Sequence, residues 1–176
     1  NVFYIIYKNC RKKKIIGQDI KKEAITNAMK SNLTYTWYHY YKFIFNWLYN
    51  WKKFFNNDTE KFIIWCIPML HRANKMRLEK KSPELDISSW RSGIEKLETQ
   101  GINTMSLSDI TGIPRPTVTR KLKTLFLNKH LYMDKNKLIH PGDQGTYKAE
   151  MYNIQNNSLN EFSDFTAKIF NQIILK

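Results

Sequence analysis

The chain has 176 residues, long enough for one domain with a sizeable core or for two small ones, and carries a net charge of +14. That charge points to a polyanionic partner, either nucleic acid or an acidic membrane surface. Cys10 and Cys66 lie far apart and fit no metal-ligand spacing, which excludes a disulfide scaffold or a zinc module and reads as reduced thiols in a cytoplasmic protein. The charge itself needs a discount. Of the 29 basic residues 23 are lysine and 6 arginine, and in a chain rich in Asn and Ile that is the bias of an AT-rich genome. Where the arginines fall is therefore more informative than how many cations there are.

In chain order, "NVFYIIYKNCRKKK" places its apolar residues before its charges, the reverse of a signal peptide. It opens without methionine and inside an apolar run, as a truncated or processed N-terminus would. Residues 33–55, "LTYTWYHYYKFIFNWLYNWKKFF", hold 12 of the 25 aromatic residues and form a helix apolar on every side. Such a helix is buried in a core, an interface or a membrane. Lys42, His39, Asn46 and Asn50 interrupt the run of roughly 18 apolar residues that a membrane span requires, so the reading is a helix packed between subunits of a homodimer, with no membrane partner.

Asp58 or Thr59 caps the next helix, which runs to about Lys81 and is kinked by Pro68. Ser82-Pro83 starts another, carrying Leu85, Trp90, Ile94 and Leu97 and ending near Gly101. "GINTMSLSDITG" gives a short helix capped by Thr104 and terminated by Gly112. After Leu125, "FLNKHLYMDKNKLIHPGD" reads as two short apolar runs around "DKNK", a small hairpin. A loop through Asn153 to Asn157 then leads to a last helix, with Ser158 and Glu161 as its capping box. Phe162, Phe165, Ile169, Phe170 and Ile173 form its apolar face. A weak internal repeat, about 125 residues apart, pairs residues 1–55 with the hairpin and last helix. It makes "RKKK", Arg11 to Lys14, a candidate second hairpin tip.

The informative stretch is "SLSDITGIPRPTVTRKLKTL", Ser106 to Leu125. Gly112 supplies a left-handed turn, Ile113 fills the corner, and Pro114 and Pro116 fix the start of a helix at positions where no backbone donor is lost. Val118, Leu122 and Leu125 recur with the helical period. Opposite them lie Pro116, Thr119, Arg120 and Lys123, with Arg115 alongside and no acidic residue between Ile110 and Asp134. A face of this kind suits the negatively charged major groove, where arginine reaches guanine edges and threonine reaches bases or phosphates. A solvated helix face is the alternative.

"SLSDITGIPRPTVTRKLKTLFLNKHLYMDKNKLIHPGD" resembles the helix-turn-helix and wing of bacterial winged-helix transcription regulators of the MarR or IclR kind. The resemblance covers about residues 85–141, with Thr111 to Pro114 matching the turn and Arg115 to Leu125 the recognition helix. It implies a mainly α fold with a small β-hairpin wing and additional aromatic-rich helices. The division is then 1–81 for an aromatic helical region, 82–145 for a winged-helix DNA-binding domain and 146–176 for a C-terminal loop and helix. The function implied is sequence-specific binding of double-stranded DNA through Arg115, Pro116, Thr117, Thr119, Arg120 and Lys123. Thr104 and Ser106 would add phosphate contacts, unless they are only caps. Lys135 and Lys137 would act from the wing tip, with Asn136 between them. A tandem winged-helix protein resembling a replication initiator, or a winged helix used for protein or RNA contacts, remains open.

Trp37, Tyr41, Trp47 and Trp65 could line a small-molecule effector pocket, although aromatic core packing explains them equally well. His39, His71, His130 and His140 are scattered without metal spacing. No nucleophile and base stand in a catalytic arrangement, and there is no glycine-rich phosphate loop. The sequence therefore gives no sign of catalysis, cofactor or metal.

Overall fold

Residues 22–78, 101–142 and 148–171 are described by the computed structural model. They form mainly helices, with one small antiparallel hairpin. In chain order these are α1 (Lys22–Ser31), α2 (Leu33–Phe54), α3 (Thr59–Leu78), α4 (Thr104–Thr111), α5 (Arg115–Leu127), β1 (Leu131–Met133), β2 (Ile139–Pro141) and α6 (Lys148–Ile169). Two compact units divide the chain, Asn46–Ser158 and a second one built from Asn1–Phe45 with Leu159–Lys176. The helix expected after Pro83 and the candidate tip at Arg11 to Lys14 lie outside the described residues.

In the Asn46–Ser158 unit, α3 begins where the sequence places it. Asp58 Oδ1 accepts the backbone N–H of Lys61 at 3.1 Å, the geometry of an N-cap. The helix then continues through Pro68 to Leu78. Its buried Phe62, Ile64 and Trp65 pack with Trp51 and Phe55 and with Leu107, Val118 and Leu125 of α4 and α5. Trp51 stacks on Phe62 with ring centroids 5.5 Å apart and meets Trp65 at 5.0 Å. Burial on this scale stabilises by about 1.5–3 kcal/mol per large apolar side chain. It also pushes the Cys66 thiol up to about 12, which leaves it protonated and unreactive at neutral pH.

The helix pair α4 and α5 has the expected turn but a different cap. Asn103, not Thr104, caps α4, its side chain accepting the Ser106 N–H at 2.8 Å. Asn is as good an N-cap as Ser or Thr, and the residue one position earlier has the extended backbone that a cap needs. Gly112 ends α4 at φ 68°. Around it Ser108 Oγ donates to the Ile113 carbonyl at 2.7 Å, and the Ile113 N–H donates to Thr111 Oγ1 at 3.3 Å. Pro114 precedes α5 and Pro116 stands in its first turn, so neither removes an intrahelical bond.

Beyond α5, Leu131 pairs with Pro141 and Met133 with Ile139. Ile102 joins the outer edge of β2 by two backbone hydrogen bonds with Ile139, 3.0 and 2.8 Å. Arg72 of α3, buried, donates from Nη2 to the Pro141 carbonyl at 3.1 Å and so ties α3 to the hairpin. The unit therefore begins well before residue 82. Within it α3 packs on α4, α5 and β2.

The C-terminal segment also differs from expectation. No loop separates residues 153–157 from a later helix, because α6 is continuous from Lys148 to Ile169. Ser158 lies inside it, its hydroxyl donating to the Ile154 carbonyl at 2.7 Å. Met151, Tyr152 and Ile154 anchor this part on the core, while Asn153, Asn156 and Asn157 are exposed. Packing of the apolar stripe outweighs the weak helix propensity of the Asn-rich side. In the other unit, Phe165 and Ile169 are buried against Ala28, Met29, Tyr35 and Phe43, and Phe43 stacks on Phe165 at 5.9 Å.

Two glycines have opposite requirements, and this sets a test. A Cβ on Gly112 would meet nothing within 4 Å, whereas one on Gly142 would lie 2.0 Å from the Lys129 carbonyl oxygen. Gly112→Ala should cost only the left-handed strain, about 1–2 kcal/mol. Gly142→Ala should cost about 3 kcal/mol or more, because backbone must move. Urea unfolding of the two variants would reverse this order only if the hairpin closes differently.

Candidate nucleic-acid interface

α5 sorts its side chains by exposure into two faces. Val118, Leu122 and Leu125 are buried with the core, and so is Lys121. Arg115, Pro116, Thr119, Arg120, Lys123 and Leu127 are exposed, a spacing of three and four residues that brings Pro116, Thr119, Arg120 and Lys123 onto one strip. Thr117 is half-buried. Arg115, Arg120 and Lys123 form no ion pair among the described residues. With Arg115 beside it, the strip presents three cations that no carboxylate among the described residues pairs, two of them guanidinium forks suited to bidentate hydrogen bonding.

Lys121 is the exception on this helix, and sequence reading passed over it. Its ammonium is 2.6 Å from both carboxylate oxygens of Asp58 and 3.0 Å from Glu60 Oε2. Asp58 thereby caps α3 and clamps α5 at once. Desolvation pulls the Asp58 carboxyl upward, but the hydrogen bond from Lys121, the one from the Lys61 N–H and the charges of both lysines outweigh it and leave it below the usual carboxylate value. For Lys121 burial acts downward, and the bonds to Asp58 and Glu60 outweigh it and raise the ammonium. The signal was present in the helical period, since position 121 falls between 118 and 125 on the apolar side. A cation there must find a carboxylate or be expelled.

The hairpin tip is built around Asp134. Its Oδ1 accepts the backbone N–H of Asn136 at 2.9 Å and of Leu138 at 2.8 Å, and its Oδ2 lies 3.1 Å from His140 Nε2. Those bonds, the Leu138 N–H first, hold its carboxyl below the ordinary range. Lys137 adopts φ 60°, the left-handed position that closes a three-residue hairpin loop and usually falls to glycine. Lys135, Asn136 and Lys137 are exposed on this tip.

The remaining predicted contacts, Thr104 and Ser106, lie on α4. Thr104 and Ser106 are half-buried. Ser106 lines a cleft of about 430 Å³ together with His71, Ile102, Asn103, Ile110 and Leu138. Of the four aromatic residues considered for an effector pocket, Trp65 is buried and Trp47 packs against the same core. Among the described residues no group of three or more His, Cys, Asp or Glu could hold a metal ion, and no helix is long and apolar enough to cross a membrane. Comparisons with protein-family models, with curated proteins and with solved structures give no match for this chain.

The clamp makes a signed prediction. A depressed Asp58 contributes stability that is present above its unfolded value near 4 and lost as pH falls below it. The raised Lys121 contributes stability that is present below its usual value near 10.5 and lost only at higher pH. Lys121→Met should cost about 1–3 kcal/mol at pH 7, since it leaves Asp58 without its main partner. It should also shrink the loss of stability between pH 5 and pH 3 in urea titrations. An unchanged acid slope would mean that Asp58 is not held by Lys121.

Proposed function

We propose that the Asn46–Ser158 unit is a winged-helix module that binds double-stranded DNA in a sequence-specific way, as a transcription regulator does. Among the described residues, α3, the Ile102 bridge, α4, α5 and the β1–β2 hairpin occur in the order that such a module requires. In this reading α5 enters the major groove and the hairpin is the wing. The observation that carries the proposal is the exposed strip of Arg115, Thr119, Arg120 and Lys123, its three cations without an ion pair among the described residues, on a helix whose other cation, Lys121, is neutralised from behind. A helix meant only to be soluble has no need to keep its exposed side free of carboxylates.

The division of labour follows from chemistry. Arg115 and Arg120 read base edges, and Lys123 with the tip lysines Lys135 and Lys137 supplies salt-dependent phosphate contacts. Pro116 and Thr117, in the first turn of α5, bring the backbone close to the duplex, and the free N–H groups of that turn favour a phosphate. The exposed rings of Trp37, Tyr38 and Tyr41 on α2 support a homodimer, which would set two α5 helices about 34 Å apart on a near-palindromic site. The module needs no cofactor or catalytic residue for this role.

Selection from random double-stranded DNA at about 150 mM salt, where nonspecific lysine binding is weak, tests the proposal. The wild-type protein should enrich one motif. Arg115→Ala and Arg120→Ala should each weaken that duplex by about 10- to 100-fold and relax the preference at one base pair. Lys123→Ala should weaken all duplexes alike and lower the salt slope by about one. A motif that reads the same on both strands supports the dimer, and a directional one supports tandem modules. Absence of any enrichment, or a motif unchanged in the double arginine variant, would overturn the assignment.

A further inference from the structure

We infer that Thr119 is a specificity-determining residue that selects a thymine by its C5-methyl group. This inference rests on the reading of α5 as a base-reading helix. Its starting point is where the threonine hydroxyl points. Thr119 Oγ1 donates to the Arg115 carbonyl at 3.0 Å, one turn back along α5. A hydroxyl has one proton to donate. With that proton spent on the helix backbone, Thr119 has no donor left for a purine N7 or O6, or for a phosphate. It keeps its methyl group and an oxygen that can only accept, on a side chain that remains exposed.

The neighbours on the strip reinforce this assignment. Pro116 stands three residues earlier, exposed and without a backbone N–H, so it adds a second small apolar surface beside the Thr119 methyl. Arg115 and Arg120 flank the pair with donors only. A helix face ordered as donor, apolar, apolar, donor matches a base step in which guanine acceptors adjoin a thymine methyl. In the major groove that methyl is the single apolar feature among the four bases. Threonine is also rotamerically stiff, which holds its methyl in one place while the hydroxyl is anchored.

The experiment uses the duplex enriched by the wild-type protein, with each thymine replaced in turn by deoxyuridine, which removes only the methyl. Burying one methyl-sized group corresponds to about a fourfold change in affinity. One substitution in each half-site should therefore weaken the wild-type protein about fourfold, and the others should change little. Thr119→Ser keeps the hydroxyl and its backbone bond but lacks the methyl. It should bind the thymine duplex about as the wild type binds the deoxyuridine one, and lose nothing further from deoxyuridine. Thr119→Val keeps a methyl and loses the hydroxyl bond, and should retain the wild-type ratio. Both variants alter an exposed position, and circular dichroism checks their fold.

Equal binding of all deoxyuridine duplexes by the wild-type protein would overturn the inference. So would a Thr119→Ser variant that responds to deoxyuridine as the wild type does. In either case duplex binding and its dependence on Arg120 would stand. If no duplex is bound at all, the reading of α5 fails, and this inference with it.

Discussion

A cation on the wrong side of a helix governs the arrangement of the Asn46–Ser158 unit. Lys121 lies between Val118 and Leu125 on the buried face of α5 and is only 7% exposed, so α5 can pack only where carboxylates meet it. Asp58 and Glu60, at the start of α3, provide them. The position and rotation of α5 are thus tied to the first turn of α3 by a contact that tolerates little sliding. Burying an ion pair gives modest net stability, but its geometry is demanding. Its main effect here is orientation: with Lys121 turned inward, the strip through Arg120 and Lys123 must face out.

The second constraint is backbone closure around α4, α5 and the hairpin. Gly112 turns the chain between the helices, Pro114 sets where α5 begins, and Gly142 allows β2 to pass against the Lys129 carbonyl. Ile102 and Arg72 then fasten the hairpin from two sides, one by backbone pairing and one by a side-chain bond to Pro141. The hairpin is too short to be stable by itself. Its order comes from these attachments, and the Asp134 loop carries its exposed lysines as a fixed tip.

Much of the α5 region was legible in the sequence because its signals are local. The helical period placed Val118, Leu122 and Leu125 inside and Pro116, Thr119, Arg120 and Lys123 outside, and glycine and proline marked the turn. The features that were missed are long-range or compete with propensity. Nothing local says that Asp58 meets Lys121 across 63 positions, or that α3 is the helix that packs on α5 and β2. The Asn-rich run of α6 looks like a loop until Met151 and Ile154 are seen to anchor it on the core. Asn103 and Thr104 are both good caps, and only the backbone conformation decides between them. Ser106, a phosphate-contact or capping candidate by residue type, lines a cleft beside Leu138 that local sequence gives no sign of.

The central claim is that the exposed strip of α5 is where this protein meets duplex DNA. The most direct measurement is an NMR titration of the isotope-labelled chain with the enriched duplex, following backbone amides and arginine side chains. Shifts concentrated at Arg115 to Lys123 and at Lys135 to Lys137, with the Arg120 guanidinium protons among the largest, are the predicted result. A quiet α5 with shifts gathered on α2 or around the Ser106 cleft would contradict the account.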